Sequence, residues 1–97
     1  MTNQQLLSRY SADLEIAQTL LRFHHEPAVV DVLQALREEL ARVPDTVALK
    51  ALAARTARGL GGMESIGEIA SGLNDKLLVS LVEDLYATCK EIVSSLP

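Results

Sequence analysis

The glycines of this chain are bunched: of its five, four fall between Arg58 and Ile69. On both sides of that stretch, apolar residues recur at three- and four-residue steps, the spacing that lines one face of a helix. A helix that runs into Arg58-Gly59-Leu60-Gly61-Gly62 meets residues that favour termination and turning. The segment therefore sets how the earlier helices meet the last one. Pro27 and Pro44 punctuate the earlier chain in the same way, because proline lacks the amide donor and disfavours helix at the residue before it.

Between these breaks lie four long periodic runs. The first, Asn3 to His25, places Leu6, Tyr10, Leu14, Ala17 and Leu21 on one face, widened by Leu7, Ile16, Leu20 and Phe23. Pro27 suits the first turn of the second run, which carries Val29, Val32, Leu33, Leu36, Leu40 and Val43 and stops at Pro44. Asp45 is a natural N-cap for the third, whose stripe is Leu49, Leu52, Ala53, Thr56 and Leu60, with Gly59 offering the left-handed position after the helix. Ser65-Ile66-Gly67-Glu68 matches a capping box and predicts a short helical turn through Ala70, closed around Ser71-Gly72. Asn74 or Asp75 then caps a last helix with the stripe Leu78, Leu81, Val82, Leu85, Cys89, Ile92 and Leu96. Its margins carry Leu77, Tyr86 and Val93.

A chain of 97 residues has room for one domain with a thin core. Hydrophobic residues make up 48% while aromatics are 3%, so that core is aliphatic. Leucine and alanine, both good helix formers, dominate it. The expectation is a single all-α domain over residues 1–97. Four main helices form a compact antiparallel bundle, with the glycine-rich connection and a short extra helical turn before the last helix.

The charge balance narrows the partners. Nine basic residues against 13 acids leave a net charge of −4, the wrong sign for a phosphate backbone, so nucleic acid is not expected. A single cysteine forms no internal disulfide, and no run approaches the ~18 apolar residues of a membrane span. The first residues lack the basic and apolar regions of a secretion signal, which points to the cytoplasm of a bacterium.

Few residues suggest chemistry. Gly59-Leu60-Gly61-Gly62-Met63 invites comparison with a phosphate loop, but no strand precedes it and no Lys-Ser or Lys-Thr follows. Glu64 and Glu68 place negative charge where an anion would sit. If this stretch binds a small ligand or an anion, Gly61, Gly62, Met63, Ser65 and Glu68 are the residues to do it. His24-His25-Glu26 has metal-ligand residue types, but neighbours on a helix diverge by about 100° and no second cluster completes a set. Cys89 lies in an apolar stripe and reads as a small core residue. An enzyme would need the fold to gather Glu64, Glu68, Asn74 and His24. Neither a catalytic set, a metal nor a cofactor is expected.

The run Gly61-Gly62-Met63-Glu64-Ser65-Ile66-Gly67-Glu68-Ile69 resembles a Gly-Gly-Met-Gly-Ser-Leu-Asn-Asp-Leu type signature of small bacterial helical proteins of unknown function, the DUF6966-like group. Asn74, Leu78, Leu81 and Leu85-Tyr86 fit that group's final amphipathic helix. Glu64, Gly67 and Glu68 depart from it, standing where the group has glycine, asparagine and aspartate. The resemblance implies a small helical protein and supplies no activity.

What remains is a non-enzymatic interaction module, of an immunity, antitoxin or regulator type, whose partner is another protein or a second copy of the chain. Two surfaces are candidates. One is a basic strip of Lys50, Arg55 and Arg58, the only positive element of the chain, facing an acidic partner or the acidic helices of a second copy. The other is the set of apolar margins Leu7, Phe23, Leu77 and Tyr86, expected to form a dimer surface.

Overall fold

A computed structural model describes residues 2–61 and 66–96. Within them the chain forms five helices and no strand: α1 (Asn3–Phe23), α2 (Pro27–Ala41), α3 (Thr46–Gly61), α4 (Ile66–Gly72) and α5 (Lys76–Ser95). The fold is all-α, as the periodicity predicts, with α4 as the short extra element. A radius of gyration of 12.6 Å matches the ~12.5 Å of one compact unit of this length.

Local sequence explains each start. Thr2 and Gln5 form a reciprocal capping box on α1, with Thr2 Oγ1 accepting from the Gln5 amide at 3.1 Å and Gln5 Oε1 accepting from the Thr2 amide at 2.8 Å. Pro27 opens α2. The Asp45 carboxylate accepts from the Ala48 amide at 2.9 Å and caps α3. Asp75, rather than Asn74, caps α5 by accepting from the Leu78 amide at 3.1 Å.

The ends differ more from expectation. α1 stops at Phe23, two residues before the predicted His25, and α2 stops at Ala41 rather than Val43. Gly59 does not end α3: the helix continues through it to Gly61, and no described glycine has a positive φ. Among the described residues the left-handed positions are His25 (φ 58°) and Asn74 (φ 57°). At His25 the geometry is a Schellman closure, in which the Glu26 amide donates to Leu21 O and the His25 amide to Arg22 O, each at 3.0 Å.

Helix α5 is the hub, packing against α1, α3 and α4, while α2 lies against α1 and α3. The cross-links between α1 and α5 are His24–Asp75 and Arg9–Asp84, so residue numbers fall along one helix as they rise along the other. The core holds the predicted leucines, including Leu6, Leu14, Leu21, Leu33, Leu52, Leu78 and Leu85, with Tyr10 and Cys89 fully buried among them. On α2 the expected Val29 is buried together with Val30, whereas Val32 faces water at 52% exposure, so the stripe takes in Val30 in place of Val32.

Buried polar groups are tied into this frame. Gln18, 1% exposed, donates to Val30 O and Gln34 Oε1 and accepts from Arg37 Nη1 at 2.6 Å, stitching α1 to α2. The Tyr10 hydroxyl and Thr56 Oγ1 lie 2.5 Å apart, linking α1 to α3, and Thr56 donates on to Leu52 O.

Candidate interaction surfaces

The four apolar margins proposed from sequence do not form one surface. Leu77 and Tyr86 are nine residues apart on α5, about 900°, and so lie on opposite sides of that helix. Leu7 and Phe23, sixteen residues apart on α1, are separated by about 160°. The α2 side of α1 is marked by Gln18, and Leu7 lies there beside Leu40, Val43, Pro44 and Leu49. The four margins therefore belong to three places: a rim between α1 and α2, a groove beside α4, and the outer face of the α1–α5 pair.

The α1–α5 face carries two of the four margins, Phe23 and Leu77. On α1, Ala12, Ile16, Thr19 and Phe23 are all exposed and follow one another at steps of four, three and four. On α5, Leu77, Ser80, Asp84 and Ala87 repeat at three, four and three. This alternation is the spacing with which one helix seats another. Phe23 is 78% exposed, Leu77 58% and Ile16 45%. The side chains that flank the seam are Arg9 and Asp84, already joined by a two-pronged contact whose Nε–Oδ2 arm is 2.9 Å. Within the face Arg9 and Asp84 offset each other, while Glu91, four residues after Ala87 on α5, adds a carboxylate that also acts on Arg9. At its far end His24 Nε2 meets Asp75 Oδ2 at 2.8 Å, and the Phe23 ring stands edge-on to His24. The hydrogen bond from His24, followed by that from the Leu78 amide, holds the Asp75 carboxyl below the usual carboxylate range.

The groove beside α4 is lined by Leu60 of α3, Gly67 and Ser71 of α4, and Val79, Val82, Glu83 and Tyr86 of α5, with a volume of about 420 Å³. Its floor is aliphatic, its rim carries the Glu83 carboxylate, and Lys90 Nζ sits 6.0 Å from the Tyr86 ring centroid.

The glycine-rich ligand site is only partly in view. Gly62, Met63 and Ser65, with Glu64, lie outside the described residues. Gly61 is the last residue of α3, and Glu68 is in the first turn of α4. His24, one member of the four-residue polar set considered for catalysis, is engaged with Asp75 rather than with Asn74. Among the described residues no group of three or more His, Cys, Asp or Glu side chains could hold a metal.

The basic strip is also dispersed. Arg55 is paired with Glu39 of α2 within the same chain, Lys50 is half-buried and Arg58 is exposed in the last turn of α3. An exposed pair of this kind contributes ~0–1 kcal/mol, but it occupies the arginine that a partner's acid would need.

Cys89 is buried, and desolvation pushes its thiol up to about 12, so it stays protonated and packs as a small hydrophobe. Burial likewise raises the Tyr10 hydroxyl. A feature that sequence reasoning missed lies beneath the α1–α5 face. Asp13 is only 6% exposed, and its Oδ2 has no hydrogen-bond partner. The available signal was its position four residues after Arg9, on the side of α1 that also carries His24. Desolvation, then the adjoining Asp84, pushes the Asp13 carboxyl up to about 7. Asp84 is held below the usual range, first by its hydrogen bonds from Arg9.

No family model, curated protein or solved structure matches this chain.

Proposed function

We propose that this chain is a non-enzymatic protein–protein interaction module that pairs with a second copy of itself through the outer face of α1 and α5. The observation that carries the proposal is the three-four spaced, largely apolar stripe Ala12, Ile16, Thr19 and Phe23 beside Leu77, Ser80 and Ala87. Large apolar side chains gathered on one exposed face mark contact sites. Two copies of charge −4 repel least where acids are offset by bases, and within this face Arg9 offsets Asp84. An immunity, antitoxin or regulator role, in the cytoplasm of a bacterium, is the biological setting suggested by the acidic helical character and by the resemblance of residues 61–69 to the DUF6966-like group. The proposed arrangement of the four long helices is an antiparallel bundle, in keeping with the pairing of α1 with α5.

Light scattering coupled to gel filtration tests the dimer directly. The wild-type chain is expected to run at twice its 10.5 kDa mass at high micromolar concentration. Phe23→Asp, at a site that is 78% exposed, is expected to leave a folded monomer. A strict monomer for the wild type throughout that range removes the self-pairing proposal.

A second reading has its own observation. The groove formed by Leu60, Gly67, Ser71, Val79, Val82 and Tyr86 adjoins the glycine-rich stretch, and its size suits a small ligand. Its aliphatic floor and Glu83 rim favour an apolar molecule over an anion. Chemical-shift titration with small apolar compounds, and with inorganic phosphate as the contrasting probe, should move the Gly67 and Ser71 amides with the former. Silence at both amides for every compound ends that reading.

A further inference from the structure

We infer that Asp13 and Asp84 share a single proton across the α1–α5 seam, making that seam a latch that weakens as the pH rises. The geometry calls for it. Asp84 presents its two carboxylate oxygens to Arg9, Oδ2 to Nε at 2.9 Å and Oδ1 to Nη2. Asp13, one helical turn after Arg9 and nearly excluded from water, leaves Oδ2 without any partner. As a carboxylate, Asp13 would be a second acceptor beside an acceptor already in use, and the seam would hold two negative charges against one positive. As a carboxylic acid it becomes a donor, gives its proton to a hydrogen bond with Asp84, and leaves the trio neutral. Buried acceptors without donors cost far more than satisfied pairs, and like charges in one site do not both ionise readily.

The other groups near the trio do not replace that proton. On α1, Arg9 works against it, and burial and Asp84 outweigh Arg9 at Asp13. From α5, Cys89 is a protonated thiol, and Glu91 is a further acid that acts on Arg9. From α2, Arg37 is engaged with Gln18 and reaches Glu15 on the other side of α1. From α3, Arg55 pairs with Glu39, and Thr56 bonds the Tyr10 hydroxyl.

The sign follows from linkage. A carboxyl that titrates higher in the folded chain than in the unfolded one binds more proton when folded, so its contribution to stability falls as pH rises. That contribution is whole below the ordinary carboxyl range and is lost as pH passes about 7, the value for Asp13. The latch stands independently of the self-pairing proposal, because it acts within one chain.

Urea unfolding of the wild type and of Asp13→Asn, measured from pH 4 to pH 9, tests it. The asparagine amide keeps a donor for Asp84 and cannot ionise. The unfolding constant of the wild type, divided by that of the variant, is expected to rise about tenfold per pH unit between roughly pH 5 and pH 7 and then level off. A ratio that stays flat overturns the latch. Carbon-13 titration of the wild-type side-chain carboxyls needs no variant: Asp13 is expected to titrate near neutrality and Asp84 at low pH. An Asp13 midpoint in the ordinary range near ~4 overturns the proposal. Asp84→Asn, in which the charged acceptor is gone, should lower the Asp13 midpoint by at least one unit. An unmoved midpoint there would assign the shift to burial alone and remove the shared proton.

Discussion

His25→Gly is expected to make the protein more stable, although it deletes a side chain. His25 sits at φ 58°, in the left-handed region, closing α1 by donating its amide to Arg22 O. An L-residue with a Cβ pays ~1–2 kcal/mol there, and glycine avoids that strain. Glycine also gains freedom in the unfolded chain, which takes back ~0.5–1 kcal/mol. The imidazole is exposed at the mouth of a shallow cavity with Arg22, Glu26 and Pro27, so its removal forfeits little packing. The net gain is about 0.5–1 kcal/mol, or roughly 3–6 °C in Tm for a domain of this size. His25→Ala is the control, because alanine keeps the strain and removes the same ring. Urea unfolding of the three chains, read as midpoints at constant m, should rank glycine above both histidine and alanine. A glycine variant equal to or below the alanine variant would refute the assignment of strain to this residue.

Two further outcomes follow from the packing and the caps. Leu85, 1% exposed at the centre of α5, should lose about 3 kcal/mol on Leu85→Ala through transfer and cavity terms, whereas Val47→Ala, at a site 75% exposed, should stay within ~0.5 kcal/mol in the same urea series. Asp75→Ala removes both the α5 cap and the partner of His24, and should lower Tm at neutral pH. Because the folded Asp75 carboxyl lies below its ordinary range, its contribution is present above that range and lost as pH falls through the folded value. The variant's Tm deficit should therefore shrink on acidification, and a deficit that is constant from pH 7 to pH 2 would contradict the pairing.

The helices and most of their starts were legible because each depends on residues within a few positions. Pro27, Asp45 and the leucine stripes act through short-range sterics, capping and periodic burial, and the structure has them as expected. The ends were less legible, since a glycine permits a turn without requiring one. Gly59 stays helical while His25 accepts the left-handed strain, because packing on α5 extends α3 and closure before Pro27 demands a turn at His25. The surfaces were least legible of all. Leu77 and Tyr86 look equivalent as margins of one stripe, yet α1 lies against one flank of α5 and α3 with α4 against the other.

The sequence by itself determined that the chain is helical, where its helices begin and which leucines they bury. Only the tertiary structure decided that Arg55 pairs with Glu39 of the same chain, that Phe23 and Leu77 stay exposed, and that Asp13 is buried with Oδ2 unpartnered one turn from the Arg9 that holds Asp84. The physical reason is range. Capping and periodicity are set within a turn or two of the chain, whereas the seam joins residues seventy-one positions apart, and nothing in the local pattern around Asp13 or Asp84 encodes the other.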